Sequence, residues 1–334
     1  MTPPGSEHWY CVALERSIRG TPRAFTCLET PLVLFRDAEG HVAALLDRCA
    51  HRGARLSAGR IREGQLTCPY HGWRFDRQGA CVRIPSQIPG ETIPERCQVP
   101  VRPVRVQQGL VWVWMGEARS ELPPVPTLPG SPEPGWAHVT FASRFEADVE
   151  EVVENFIDCP HTGFVHGGLF RSEPDHETIA RIRQVPEGID IELEETGASD
   201  SLLARVLARG RKVVHVDRFR LPATVHVNYR FGDDLEFHGF QICTPVKPGV
   251  THVFVHVTWK AGPVGGLLRP LVRLVGGVIL AQDRTVLEDQ ARSIRIFGRQ
   301  ARSTRADAAN VWIQRLRSGE LPETTRELEV RFRL

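Results

Sequence analysis

Two short stretches of the chain each combine a thiol with an imidazole. Cys49 and His51 form a CxH pair, Cys68 and His71 form a CxxH pair, and sixteen residues separate His51 from Cys68. Each pair offers a metal one thiolate and one ring nitrogen. Tetrahedral zinc sites usually pair cysteine with cysteine and histidine with histidine. Mixing the two types in each half suits a two-iron cluster, with two cysteines on one iron and two histidines on the other, so that each loop serves both metals. Gly53, Pro69 and Gly72 allow or impose tight turns around these residues, and Tyr70, Trp73 and Phe75 are placed to shield the sulfurs from water. A zinc site, or four core residues that meet without a metal, is the simpler alternative.

A second constellation runs Asn155-Phe156-Ile157-Asp158-Cys159-Pro160-His161-Thr162-Gly163-Phe164-Val165-His166. Two histidines five apart point about 140° away from each other on an unbroken helix and cannot share a metal there. Pro160 disfavours helix at Cys159 and Gly163 eases an irregular turn, so the segment can deform until both rings face inward. Asp158, three residues before His161, can accept a ring N–H and fix the metal-binding tautomer. A third ligand is sought among Asp283, Glu288 and Asp289. On a helical wheel Ile279, Leu280, Val286 and Leu287 lie within about 60° of Asp283, whereas Glu288 and Asp289 lie more than about 110° away. A carboxylate on the buried stripe is costly unless paired or metal-bound, which favours Asp283 over its neighbours and leaves an arginine salt bridge as the alternative.

The elements that must hold these residues are legible in outline. Runs at Pro31 to Phe35, Val42 to Leu46, Gln65 to Cys68 and Leu110 to Met115, separated by turn residues, predict a small all-β domain over residues 1–120. Residues 121–135 carry six prolines within twelve positions and predict an extended, fairly stiff connector. In residues 136–334, Val149, Val152, Val153, Phe156 and Ile157 recur at helical spacing, with Glu150, Glu151 and Glu154 on the polar face. Five β-prone stretches between Gly188 and Lys260 follow without long helices between them, which predicts an antiparallel sheet. Helices are expected from about Leu271 to Ile296 and from Ala306 to Leu316. His226 and His238 fall on predicted strands and would face a substrate only if their side of the strand points inward. Ser201 to Lys212 reads as a surface helix or an amphipathic lid.

Composition narrows the class. With 42 basic and 40 acidic residues the net charge is +2, which gives no general reason to bind nucleic acid. Between Arg48 and Arg83, however, eight arginines face two acids, a basic patch that would steer an acidic redox partner or else is simply a solvated surface. Residues 1–10 lack an apolar run and the longest apolar stretch, Val275 to Ala281, is too short to cross a bilayer, so no membrane span and a cytoplasmic location are expected. Eight unevenly spaced cysteines in that compartment argue for metal or packing roles. Cys11, Cys27, Cys81, Cys97 and Cys243 have no partners at ligand spacing and are assigned to packing.

The segment from Arg48 to Phe75, CAHRG through CPYHGWRF, resembles the Rieske domain of Rieske non-haem iron oxygenases, and His8-Trp9-Tyr10 and Gly109 to Gly116 resemble that domain's edges. Residues 155–166 resemble the family's mononuclear-iron motif, and Gln282 to Glu288 its third-ligand region. The Asn-to-Asp step of three is similar to the shorter, monooxygenase- and demethylase-like members. The resemblance implies an N-terminal all-β Rieske domain and a C-terminal α+β catalytic domain of the helix-grip type. It implies a [2Fe–2S] cluster at Cys49, His51, Cys68 and His71, an Fe(II) at His161, His166 and Asp283, and functional roles for Asn155 and Asp158.

Electrons would come from a separate ferredoxin or flavin reductase, with NAD(P)H used only through it. One atom of O2 would enter a mainly apolar small molecule and the other leave as water, giving hydroxylation or oxidative demethylation. Ring dioxygenation and desaturation are alternatives within the family. A redox-linked binding protein is the non-enzyme alternative. The family also implies a homotrimer in which Asp158 bridges His161 and a neighbour's His71.

Overall fold

The computed structural model describes residues 5, 7–131, 133–167, 177–195, 213–233, 235–260, 262–320 and 326–334. The chain divides into two compact units, Met1–Thr127 and Leu128–Leu334. The expected lid at Ser201 to Lys212 lies outside the described residues.

The first unit is built from eleven short strands: β1 (Trp9–Leu14), β2 (Arg23–Cys27), β3 (Thr30–Arg36), β4 (Val42–Leu46), β5 (Arg60–Arg62), β6 (Gln65–Thr67), β7 (Arg74–Phe75), β8 (Cys81–Arg83), β9 (Val101–Arg102), β10 (Val104–Gln107) and β11 (Leu110–Trp114). They form three antiparallel sheets, β1-β11-β10, β2-β3-β4-β9 and β5-β6-β7-β8. Apolar side chains that alternate along β3, β4 and β11 fill two cores; one contains Cys27, the other Cys49 and Cys68. Burial raises the Cys11 and Cys27 thiols well above their ordinary range, as expected of thiols that pack rather than react. The proline-rich segment is tethered to this unit: Trp9 Nε1 donates to the Pro123 carbonyl at 2.7 Å and Gln107 Nε2 to that of Pro126 at 3.0 Å.

The second unit holds one eight-stranded antiparallel sheet. Its strands are β12 (Trp136–Phe145), β13 (Glu177–Val185), β14 (Gly188–Glu195), β15 (Val213–Arg220), β16 (Thr224–Phe231), β17 (Leu235–Lys247), β18 (Val250–Lys260) and β19 (Glu327–Arg333), in the order β12-β18-β17-β16-β15-β14-β13-β19. Three of these, β12, β13 and β19, were not expected from the sequence, although Glu327 to Arg333 alternates strictly. The helices are α1 (Val149–Ile157), the single turn α2 (Thr162–Val165), α3 (Arg269–Phe297) and α4 (Ala308–Arg317).

Strand parity decides what each sheet face can do. Cross-strand pairing places Asp217, Val227, Gly239, Val257 and Val139 in one row, with His215, Tyr229 and Phe237 and then Phe219, Val225 and Gln241 in the rows beside it. This face packs against α1 through Val149, Val152, Val153 and Ile157. The opposite parity carries His226, Phe240, His256 and Thr140. His226 and His238 therefore point away from the α1 face.

Two further expectations change. Glu151 is not on a solvent face: it is buried and pairs with Arg299 at 3.2 Å, while Glu150 pairs with Arg317 at 3.2 Å, because the segment after α3 and the end of α4 cover that side of α1. The buried stripe of α3 is also narrower than the wheel suggested. Leu280, Asp283, Leu287 and Ala291 are buried, but Val286 is exposed. Gly265–Phe297 is, among the described residues, the one helical segment long and apolar enough to cross a membrane. The length of the uninterrupted apolar run missed this because Arg269 and Arg273 divide an otherwise apolar stretch. Only 11% of that apolar window is buried, whereas Leu280 near its end and Asp283 and Leu287 beyond it face the interior of the second unit.

Candidate metal centres

The two Cys/His loops are closed by the same pair of backbone hydrogen bonds. Cys49 N–H donates to the Ala54 carbonyl at 2.8 Å and Gly53 N–H to the Cys49 carbonyl at 2.9 Å; Cys68 N–H donates to the Trp73 carbonyl at 2.8 Å and Gly72 N–H to the Cys68 carbonyl at 3.2 Å. Gly53 and Gly72 both sit at φ 72°, the left-handed region that a Cβ disfavours. The two loops are thus copies of one turn, facing each other from the β4–β5 and β6–β7 connections.

Both cysteines are buried, whereas His51 is half-buried and His71 exposed. The rings of His51 and His71 lie 4.5 Å apart, and Trp73 stacks on His51 at 4.6 Å. Burial pushes the Cys49 thiol up to about 11, with the nearby Cys68 adding to it, so two thiolates side by side need a cation to hold them. His51 Nδ1 is buried without a hydrogen-bond partner, a ring nitrogen free to bind metal.

Among the described residues, no three ligand atoms of this set fall within 4.8 Å of one another. One tetrahedral ion would draw all four atoms to a point. The donor set, with sulfurs inward and imidazoles outward, fits a group that spreads its ligands over two metals.

The second centre is a point. His161, His166 and Asp283 bring their ligand atoms within 4.8 Å of one another. His166 Nε2 lies 3.1 Å and His161 Nε2 3.5 Å from Asp283 Oδ1. The helix stops as the sequence suggests: α1 ends at Ile157, Asp158 is extended, and His161 re-enters a single turn. His166 and Asp283 are almost wholly buried. Burial alone would raise Asp283, but hydrogen bonds from His161 and His166 outweigh it and hold the carboxyl at about 2, with Asn155 contributing. Asn155 Nδ2 is itself buried without a partner of good geometry. An anionic oxygen with unfilled acceptor capacity between two imidazole nitrogens is a donor set suited to Fe(II) with open positions.

The supporting contacts differ in part from expectation. His166 Nδ1 pairs with Gln282 Oε1 at 2.9 Å, a partner the sequence reading did not name, although Gln282 adjoins Asp283. His161 Nδ1 pairs with the backbone carbonyl of Asp158, while that residue's carboxylate is 3.9 Å from it. The tautomer of His161 is therefore set by main chain, which leaves the Asp158 side chain available for another partner. Burial raises the Asp158 carboxyl above its ordinary range. Seven of the eight arginines from Arg48 to Arg83 are exposed; Arg74 is buried and paired with Glu63 at 3.0 Å.

Comparison with known proteins matches a domain to each half of the chain. Residues 8–101 match the Rieske [2Fe-2S] domain, and residues 145–319, more than half of the chain, match the Vanillate O-demethylase oxygenase C-terminal domain. The chain belongs to the family of Rieske non-haem iron oxygenases, and it is an oxygenase whose cofactors are a Rieske cluster and a mononuclear iron. Aminopyrrolnitrin oxygenase of Pseudomonas fluorescens is 29% identical over 283 residues, 78% of this chain and 76% of that one. The oxygenase component of dicamba O-demethylase from Stenotrophomonas maltophilia is 33% identical over 207 residues, 60% of this chain and 59% of that one. A crystal structure of dicamba monooxygenase bound to 3,6-dichlorosalicylic acid superposes with a TM-score of 0.81 at 25% identity, covering 94% of this chain and 98% of that one. The matched region spans less than half the length of several other curated relatives.

Proposed function

We propose that the chain is the oxygenase component of a monooxygenase that hydroxylates or oxidatively demethylates a mainly apolar small molecule, with electrons supplied by a separate ferredoxin or flavin reductase. The observation that carries this reading is the buried convergence of His161, His166 and Asp283 in a chain that also presents the paired Cys/His loops. The relatives named for O-demethylation and for oxygenation of an amine support it. Ring dioxygenation and desaturation remain the second reading, because relatives named for those reactions also match.

Bound in these two places, the cluster would supply single electrons and the iron would use them to activate dioxygen. The residues of the chain arrange this. Cys49, Cys68, His51 and His71 would hold the cluster with its histidine edge toward solvent, where an electron donor can approach. Gln282 Oε1 and the Asp158 carbonyl accept from Nδ1 of His166 and His161, so that both Nε2 atoms face Asp283, where a bound iron would take the place of the hydrogen bonds they make to it. Asp283 stays ionised at neutral pH and completes a three-ligand face. The basic surface around the cluster would favour an acidic donor.

The assembly we expect is a closed ring of three copies, in which head-to-tail contacts close on themselves. Asp158 would then lie between His161 and the next copy's His71. Asp158→Asn is expected to keep both metals loaded while turnover falls sharply; full activity at full iron occupancy would remove Asp158 from this role. The function itself is tested by oxygen uptake with a reductase across a substrate panel, followed by the product's mass. A gain of one oxygen atom, or loss of a methyl as formaldehyde, is expected; no oxygen consumption with a reduced cluster and a bound small molecule would overturn it.

A further inference from the structure

The sheet face that packs against α1 carries a polar group that neither metal centre uses. Asp217 on β15 is 2% exposed. Its Oδ1 accepts from His215 Nε2 at 3.0 Å and its Oδ2 from the Cys159 thiol at 3.2 Å. His215 stacks on Tyr229 across the sheet, ring centroids 4.0 Å apart. Cys159 lies in the turn between Asp158 and His161, so Asp217 sits directly against the segment that presents the iron ligands. Among the described residues no lysine or arginine pairs with this carboxylate. An ionised carboxylate has about four acceptor positions, of which these contacts fill two. Each carboxylate oxygen thus has one donor from the protein and retains a further acceptor position.

A second acceptor lies on the same face. Gly239 stands in the same cross-strand row as Asp217, two strands away across Val227. The Gln241 carboxamide folds over it, Nε2 lying 3.3 Å from where a Gly239 Cβ would be. Gln241 Oε1 is buried and has no hydrogen-bond partner. Around these two acceptors the face is apolar, through Val227, Phe237 and Val257.

We propose that Asp217, assisted by Gln241, is a specificity-determining residue that selects substrates presenting an N–H or O–H donor on an otherwise apolar skeleton. This rests on the oxygenase reading of the adjacent centre and narrows its substrate class. The shared chemistry is hydrogen-bond donation, which an aryl amine or a hydroxyl supplies equally. A site built around a buried acceptor rejects a donor-free analogue strongly, because the acceptor is then left unpaired in a dry environment.

The test uses three near-isosteric probes, 4-methoxyaniline, 4-methoxyphenol and 4-methylanisole. Their binding to the oxidised, iron-loaded full chain is measured by calorimetry without electrons, so that no turnover is required. At least one donor-bearing probe should bind about 100-fold tighter than the methyl probe. The better of the two donor probes tells amine from hydroxyl recognition. Asp217→Asn, checked for unchanged iron content, should cut that ratio at least about tenfold. Gln241→Leu, which leaves the contact with Cys159 intact, should lower it as well.

A ratio near one in the unaltered protein, including the case in which none of the three binds, overturns the proposal. So does a ratio that both substitutions leave unchanged. An equivalent of zinc that is lost in Asp217→Asn would also overturn it, by assigning Cys159, His215 and Asp217 to a metal. Failure to consume oxygen with a bound donor probe would count against the oxygenase reading alone and leave the binding preference standing.

Discussion

Lowering the pH from 7 to 5 should cost the second unit about 4 kcal/mol through two buried histidines on the sheet face opposite α1. Burial drives His226 down from 6.5 to about 2, with Arg218, the neighbouring His238 and Arg220 acting in the same direction. Burial likewise drives His256 down to about 4, with His138 adding to it. Both folded values lie below the unfolded one. The unfolded chain therefore takes up protons as the pH falls through 6.5, while the folded chain does not until its own lower values are reached. Stability is fully present above about 6.5 and declines from there downward, until the folded rings also protonate.

At pH 5 an unfolded imidazole is almost wholly protonated and either folded ring almost wholly neutral. Each histidine then contributes a loss of about 2 kcal/mol relative to pH 7, hardly dependent on how far its folded value lies below 5. Urea unfolding followed by circular dichroism at both pH values measures this, for the unaltered chain and for His226→Gln with His256→Gln. Comparing the two proteins at equal metal content cancels what acid does to the iron ligands. The double variant should lose about 4 kcal/mol less between pH 7 and 5. Equal losses in the two proteins, to within about 0.5 kcal/mol, would refute the reasoning, since the rings would then not be held neutral by burial.

Three further outcomes follow from the geometry of the metal centres. Asp283→Ala should reduce iron from about three to about two per chain while leaving the visible absorbance of the cluster intact, because it removes one ligand of the mononuclear site only; loss of the visible band would show that the two centres are not independent. Gly72→Ala places a side chain at φ 72° with its Cβ 3.1 Å from Pro85 Cγ, so the cluster should bleach at a lower temperature, the left-handed backbone costing about 1–2 kcal/mol; an unchanged bleaching temperature would remove that turn's conformational requirement. Arg55→Glu with Arg62→Glu should flatten the salt dependence of electron delivery from an acidic ferredoxin, measured by stopped-flow reduction of the cluster; an unaltered dependence would mean these exposed arginines do not steer.

What the sequence made legible is what short range encodes. The CxH and CxxH pairs, the run from Asn155 to His166 and the period of α1 each lie within a dozen or so residues, and the structure shows them as the turns and the helix expected. Asp283 was reachable because a helical wheel is also local. The remainder depends on contacts that no window contains. Gln282 meets His166 across 116 residues, and Asp217 meets Cys159 across 58. The strand β19 pairs with β13 from the other end of the unit, which its own alternation could not announce. The choice of the Asp158 carbonyl over its carboxylate as partner of His161 is a matter of backbone direction at a helix end, which residue types do not specify. Parity was the other loss: β-strand character at His226 and His238 was readable, but which side faced α1 was fixed only by pairing with neighbours.

The two centres solve the problem of holding metal in opposite ways. The Cys/His loops are irregular backbone, repeated twice and locked by equivalent hydrogen bonds, so their geometry is local and each loop would contribute equally to both metals. The ligands proposed for the mononuclear iron come from elements far apart in sequence: the turn after α1 and the middle of α3. These two helices pack against each other, and α1 packs across four strands while α3 lies along β12, so the sheet fixes the separation of His161 and His166 from Asp283. A three-ligand site tolerates little displacement before an open position closes or a ligand is lost. The thiol of Cys159, bound to Asp217 on β15, ties the turn just past the end of α1 to that sheet, while the Cys159 carbonyl accepts from the Thr162 N–H and hydroxyl. A polar residue buried at that place thus holds the histidine-bearing turn from one side.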